Sequence, residues 1–364
     1  MEPDFPEGAS SIAPLANIAC AAPYGAGGLG RHFAEMVEAS RSAGILEHYW
    51  SSAPKPDDQE QGIGVPVHAS PSHTQLRRTP VRFDPGWMNH LSGVAFDRSA
   101  ASRLPRMQLG FTGFAGQSLQ SLERARSQGV SVGLIAATSH VQNVARQHRR
   151  AHEMHRLERP WLNSAQVRRT LREYQIADVI YVASEYSRLS FVDSGFPSDR
   201  IVRWRPTPAT RYDGATRSLV RDGVFRIIYV GSLTVSKGIP VLLEAFARFP
   251  IREARLSLVG GWSTRGMRRY LEARVAHDPR ISITPGDPLP HLVSADVLVH
   301  PSWEDGFAYS GAEALAAGVP VIVSEDTGMK ELVEEGVTGY VVPTGDVDAI
   351  VDRLLAVACR TGYR

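Results

Sequence analysis

Short apolar runs alternate with stretches of helical period along most of this chain, and that alternation limits the fold more than any other feature. Residues 15–22, 108–112, 130–137 and 179–183 read as buried strands of a first half. Residues 31–42, 118–127 and 185–193 read as helices, and an Arg- and His-rich helical region spans 141–174. The second half repeats the pattern, with strands expected at 225–230, 256–259, 281–284, 297–300 and 319–323, and helices at 239–249, 268–276 and 347–358. Strands and helices in strict alternation build parallel sheets covered on both faces. Residues 205–223, with Pro206, Pro208 and no sustained apolar period, read as a linker. A chain of 364 residues exceeds the usual single-domain size, so two domains are expected, 1–207 and 208–364. The expected class is α/β: two Rossmann-like doubly wound domains facing across a cleft, a natural place for a ligand. Residues 1–11 read as a disordered leader, and the Pro-, Ser-, Asp- and Gln-rich residues 51–80 as a long mobile loop.

The segment 300–320, HPSWEDGFAYSGAEALAAGVP, carries the most chemistry. It follows an apolar run and places Asp305 on a turn. A helix opening near Ser310 holds Glu313 in its first turn, with seven residues between it and the aspartate. Both acids then face one pocket at the carboxyl end of a strand, where open α/β sheets bind ligands. The amides of Tyr309, Ser310 and Gly311, at the positive end of the helix dipole, favour an anion there. A ligand with hydroxyls at both ends and phosphate in the middle suits such a site; a sugar nucleotide has that shape. Taken alone, two acids at a helix start serve equally well as a cap and a dipole partner. Ser232 and Lys237 follow the first strand of the second half. A lysine at a strand-to-helix turn can neutralise a diphosphate as a point charge. The chain has only three lysines, Lys55, Lys237 and Lys330, so one in this place is less readily incidental.

Residues 230–346 resemble the donor-binding half of retaining GT-B glycosyltransferases of the GT4 type (glycosyl transferases group 1). In that family an acid, seven residues and a Glu precede an Ala/Gly-rich helix and a Pro-led strand. Here Asp305 stands where Glu is more frequent, and Ser232 stands where an Arg is usual, with Arg265 a candidate substitute. The resemblance implies a hexosyltransferase. Its donor would be a UDP- or GDP-sugar and its acceptor a hydroxyl of a sugar, a lipid-linked glycan or a small metabolite. Glu313 would hold the ribose hydroxyls and Asp305 those of the donor sugar. Lys237, Ser232 and the backbone of Gly306, Phe307, Ala308, Tyr309 and Ser310 would surround the diphosphate, and residues 284–287 the base. His140, at the end of the strand 130–137, would steady the charge developing on the sugar. No metal and no further cofactor is implied. Relatives usually continue for two more helices after the one at 347–358, so either a truncated chain or an unusual closure is expected.

Residues 25–30, GAGGLG, match G-x-G-x-x-G after a strand and before a helix. One use is a dinucleotide turn with Glu47 as its ribose acid, which would make the chain an NAD-dependent oxidoreductase. The other is the glycine-rich turn of the transferase, where the backbone of Gly27 and Gly28 approaches the donor diphosphate or the acceptor. A nucleotide-sugar binding module without turnover is the remaining alternative. His148, His152 and His155 lie among arginines and read as a solvated or acceptor-facing basic helix rather than as metal ligands. A net charge of +2 gives no bulk attraction to nucleic acid, while an Arg-rich surface leaves peripheral contact with anionic lipid open. Cys20 and Cys359 build no disulfide framework. With no signal-peptide pattern and no apolar run of ~20 residues, a cytoplasmic chain is expected, at most peripheral at the inner membrane face. The oligomeric state is not written in the sequence.

Overall fold

The computed structural model describes residues 13–204, 206–207, 212, 222–262 and 264–363. They form two compact units. The first runs to Ala145 and resumes over Pro160–Pro206, and the second takes Arg146–Arg159 and the chain from Thr207 onward. Each unit holds one parallel sheet. The leader and most of the linker expected at 205–223 lie outside the described residues.

The first sheet has seven strands: β1 (Asn17–Cys20), β2 (His48–Ser51), β3 (Gly64–Pro66), β4 (Phe111–Phe114), β5 (Val132–Ala136), β6 (Val179–Val182) and β7 (Ile201–Arg203). Their spatial order is β3-β2-β1-β4-β5-β6-β7. Successive residues of one strand feed opposite faces, as a period of two requires. Ala19, Leu134 and Ile180 pack with Trp50, Phe96 and Phe111 on one side. Ile18, Ile135 and Tyr181 pack with Phe33, Met36 and Phe114 on the other. Burial on both faces is why these strands read as unbroken apolar runs.

The second sheet has β8 (Phe225–Val230), β9 (Ala254–Val259), β10 (Ile281–Thr284), β11 (Val297–His300), β12 (Val321–Ser324) and β13 (Gly339–Val342). Their order is β10-β9-β8-β11-β12-β13, all parallel, with Val297 opposite Ile227 and Phe225 opposite Ala254. The helix Ile239–Arg248 covers β8 with an apolar face centred on Leu242 and Phe246.

Two expectations are corrected, and one helix is added. Residues 51–80 are not one loop: they contain the helix Pro56–Glu60, strand β3 and the helix His73–Leu76. Buried Asp58 accepts hydrogen bonds from Tyr49 Oη and Arg41 Nη2, each at 2.8 Å, and so fixes the first of these helices to the sheet. The helical region 141–174 is two helices, Val141–Met154 and Ser164–Ile176, parted at Pro160 and restarted by the Asn163 cap. A helix over Pro85–Arg103 had no sequence expectation, because Gly, Ser and Asp interrupt its apolar face; its signal was the cap Asp84 followed by Pro85.

Candidate active site

In the second sheet the connections from β8 and from β11 run in opposite directions, so the order reverses between these two neighbours. Ligands bind beyond the carboxyl ends of strands at such a reversal. Two loops leave the sheet there, 231–238 after β8 and 301–308 after β11. They touch closely. Gly238 has φ +72°, and a Cβ on it would lie 1.9 Å from the carbonyl oxygen of Pro301. Only glycine allows that approach. The backbone N–H of Trp303 donates to Ser236 O at 2.9 Å, which ties the loops together a second time.

The approach brings Lys237 onto Asp305. Lys237 Nζ lies 2.7 Å from Asp305 Oδ2, and His300 Nε2 lies 3.1 Å from the same oxygen. An ionised carboxylate can only accept, so His300 Nε2 carries a proton. Among the described residues, both donors use Oδ2 and none uses Oδ1. Burial would raise the Asp305 pKa, but the Lys237 ammonium and the His300 hydrogen bond outweigh it and hold the carboxyl well below the usual carboxylate range. Burial likewise works against a charged Lys237, and the charge and hydrogen bond of Asp305, with the charge of Glu304, keep its pKa above the ordinary value. The Lys237 side chain as a whole is 30% exposed. Tyr229 stacks on His300 with ring centroids 6.0 Å apart and fixes the imidazole plane.

The loop carrying Asp305 is held from below. Asp305 N donates to Asp326 O at 3.2 Å and Gly328 N donates to Asp305 O at 2.9 Å, so the turn after β12 sets its backbone. The helix expected near Ser310 opens at Tyr309 and runs to Ala316. Glu313 is its fifth residue, one residue deeper than expected, and is 3% exposed. Gly311 N donates to Ala308 O, so it is not the open anion donor expected of it. Gly306, Phe307 and Ala308 are buried, whereas Tyr309 and Ser310 are half-buried. Ser232 is exposed in the same loop as Lys237, and Arg265 is exposed at the start of the helix Arg265–His277.

In the first unit, Gly27 and Gly28 open the helix Gly27–Ser42 beyond β1, and a Cβ on either would meet nothing within 4 Å. Glu47 does not join them. It precedes β2 and accepts from Asn17 Nδ2 at 2.6 Å, at the amino end of the sheet, whereas the glycine turn follows the carboxyl end of β1. The dinucleotide reading thus loses its acid. His140 is 1% exposed, among Tyr174, Phe191 and Phe196, and neither ring nitrogen has a hydrogen-bond partner among the described residues. Burial pushes its pKa down to about 4. That is the setting of a packed neutral histidine, and this geometry does not offer its ring to a substrate. His148 also departs from the solvated helix expected of it: it is buried, and burial, with His152 and Lys237, pushes its pKa to about 3. Among the described residues no group of three or more His, Cys, Asp or Glu could hold a metal ion.

His300 is the site residue that sequence reasoning missed. Its signal was available: it ends an apolar strand run, the position for which His140 was chosen.

Residues 224–359 match the family model of the Glycosyl transferases group 1. An uncharacterised glycosyltransferase of Methanocaldococcus jannaschii, MJ1607, is 37% identical over 148 residues. The match covers 38% of this chain and 37% of the relative, so the chain spans little more than a third of that protein's length. Among solved structures, the sucrose-phosphate synthase of Thermosynechococcus elongatus superposes with a TM-score of 0.68 at 19% identity, over 95% of this chain and 90% of that one. Anabaena HepE in complex with UDP-glucose superposes with a TM-score of 0.64 at 13% identity, over 95% and 90%. The fold is the GT-B pairing of Rossmann-like domains.

Proposed function

We propose that this chain is a retaining glycosyltransferase of the GT4 type that moves a hexose from a nucleotide-diphosphate sugar to a hydroxyl acceptor. The meeting of Lys237 and Asp305 at the strand-order reversal of the family-matched unit carries the reading. Lys237 stabilises the leaving diphosphate, with Ser232 and the half-buried start of the helix Tyr309–Ala316 beside it. Asp305 keeps Oδ1 for a donor-sugar hydroxyl while His300 and Lys237 hold Oδ2. Glu313 takes the ribose hydroxyls, and Gly306, Phe307 and Ala308 shape the floor. Donors fixed in advance and aimed at a leaving group usually lower such a barrier more than any other device.

By analogy with the family, the acceptor attacks on the face the diphosphate leaves, and a phosphate oxygen takes its proton. The charge work falls to Lys237 and amide dipoles, so the reaction is metal-independent. A UDP-sugar is favoured over a GDP-sugar, in line with the UDP-glucose bound by HepE. The Gly27–Gly28 turn remains a proposed ligand-facing surface of the first unit, and the acceptor is a sugar, a glycan or a small metabolite. Among the described residues no helix is long and apolar enough to cross a membrane.

The test is nucleotide diphosphate release from a panel of UDP- and GDP-sugars. Release from at least one, falling about a hundredfold in Lys237→Ala, is expected. Binding without release from any donor would leave only a binding module.

A further inference from the structure

The second unit contains a piece of chain that belongs, by sequence, to the first. The helix Val141–Met154 begins in the first unit, yet Arg146–Arg159 packs into the second. Ala151 is fully buried in the second unit's core, and Leu157 packs against it. Arg150 lies over the Trp303 ring at 5.5 Å. At the end of the segment, both carboxylate oxygens of Glu158 are used. Oε1 accepts from the backbone N–H of Val235 at 2.7 Å, and Oε2 accepts from Thr264 Oγ1 at 2.6 Å. Val235 stands two residues before Lys237, and Thr264 is the N-cap of the next helix, accepting from Met267 N at 3.2 Å. The loops after β8 and β9 also meet directly, through Leu233 N and Gly261 O at 2.9 Å. Gly266 leaves room for the segment, since a Cβ there would lie 1.8 Å from Leu157 O.

We infer that Glu158 is a positioning residue for the phosphate-binding loop: its carboxylate clamps that loop to the neighbouring helix cap and so sets where the Lys237 ammonium stands. The inference rests on the donor-site reading proposed above. An ionised acceptor on a backbone N–H is among the stronger hydrogen bonds, and its loss frees the loop that carries Ser232 and Lys237.

The test uses the full chain with UDP and GDP as probes, followed by titration calorimetry and by hydrogen exchange of the peptide covering Val235. Glu158→Ala is expected to weaken nucleotide binding about tenfold and to speed exchange of that peptide, while Glu158→Gln, which keeps an acceptor for Val235 N–H, recovers most of both. In turnover, the alanine variant raises the donor KM more than it lowers kcat. Gly266→Ala displaces the segment from the opposite side and shifts binding in the same direction. If Glu158→Ala binds nucleotide as wild type does while Lys237→Ala is weakened, the clamp is wrong and the donor site stands. If wild type binds neither UDP nor GDP, the donor reading falls, and unchanged exchange in Glu158→Ala overturns the clamp by itself. A lowered melting temperature with unchanged affinity and exchange also overturns it.

Discussion

At the scale of single residues, the site turns on a shared oxygen. Asp305 Oδ2 takes both Lys237 and His300. Asp305→Asn keeps the shape and removes the charge that restrains Lys237. The ammonium is then freer to meet phosphate, so UDP affinity should rise or hold in titration calorimetry, while sugar transfer falls. A parallel loss of both would mean that Asp305 acts on the nucleotide rather than on the sugar. Glu313→Ala should weaken donor binding more than Glu325→Ala, and equal titration curves would count against its ribose role. Asp305 and Lys237 could be named from sequence because spacing and scarcity marked them. His300 was overlooked although its place at a strand end could have marked it, and Glu158 could not be named. The glutamate sits far along the chain from the loop it holds. Glu47 showed the converse failure: its distance in sequence from the glycines was right, but it stands at the wrong end of its strand.

At the scale of elements, the buried strands were the most legible part, since burial on both faces leaves an unbroken apolar signature. Strands β8, β10 and β11 match expectation residue for residue. The edge strands β3, β7 and β13 were missed, and so was β2 between β3 and β1, because runs of three or four residues are too short to show a pattern of their own. Helix Leu119–Ser127 shows how elements are joined by buried charge. Its first turn is held by Asp97, which accepts from Gln120 N at 2.7 Å and Ser121 N at 2.9 Å. Glu173 on the helix Ser164–Ile176 accepts from Gly116 N and from Ser118 N at 2.9 Å. Burial raises the Glu173 pKa from 4.5 to about 7, against the opposing pull of those amides and of Arg169. The fold therefore favours the protonated acid. Its contribution is complete below the unfolded value and is lost as pH climbs through about 7. Wild-type thermal stability should thus decline, relative to Glu173→Gln, between about pH 5 and 7.5. Melting curves with identical pH dependence would refute the burial of that charge.

At the scale of the whole molecule, two sheets were legible from the alternation alone, but their membership was not. A linear reading assigns each stretch to the nearest domain, and nothing in the composition of 146–159 says that it folds with later residues. The two cysteines offer separate reporters. Cys20 is fully buried in the first unit, and burial pushes its thiol up to about 12, while Cys359 is exposed in the second. A thiol reagent should modify Cys359 at once and Cys20 only as the first unit opens. Saturating UDP should leave the slow phase unchanged, because the proposed nucleotide site lies in the second unit. Fast reaction of both thiols would contradict the packing of β1.

The discontinuous membership bears on how the family-matched half can be handled in isolation. A gene fragment starting at residue 207 would contain every amino acid in the family match yet omit Ala151, Leu157 and Glu158. Its product would present an apolar scar to water and a lysine-bearing loop without its anchor. Poor solubility and feeble nucleotide affinity in such a fragment would report the missing stretch, not an inactive enzyme.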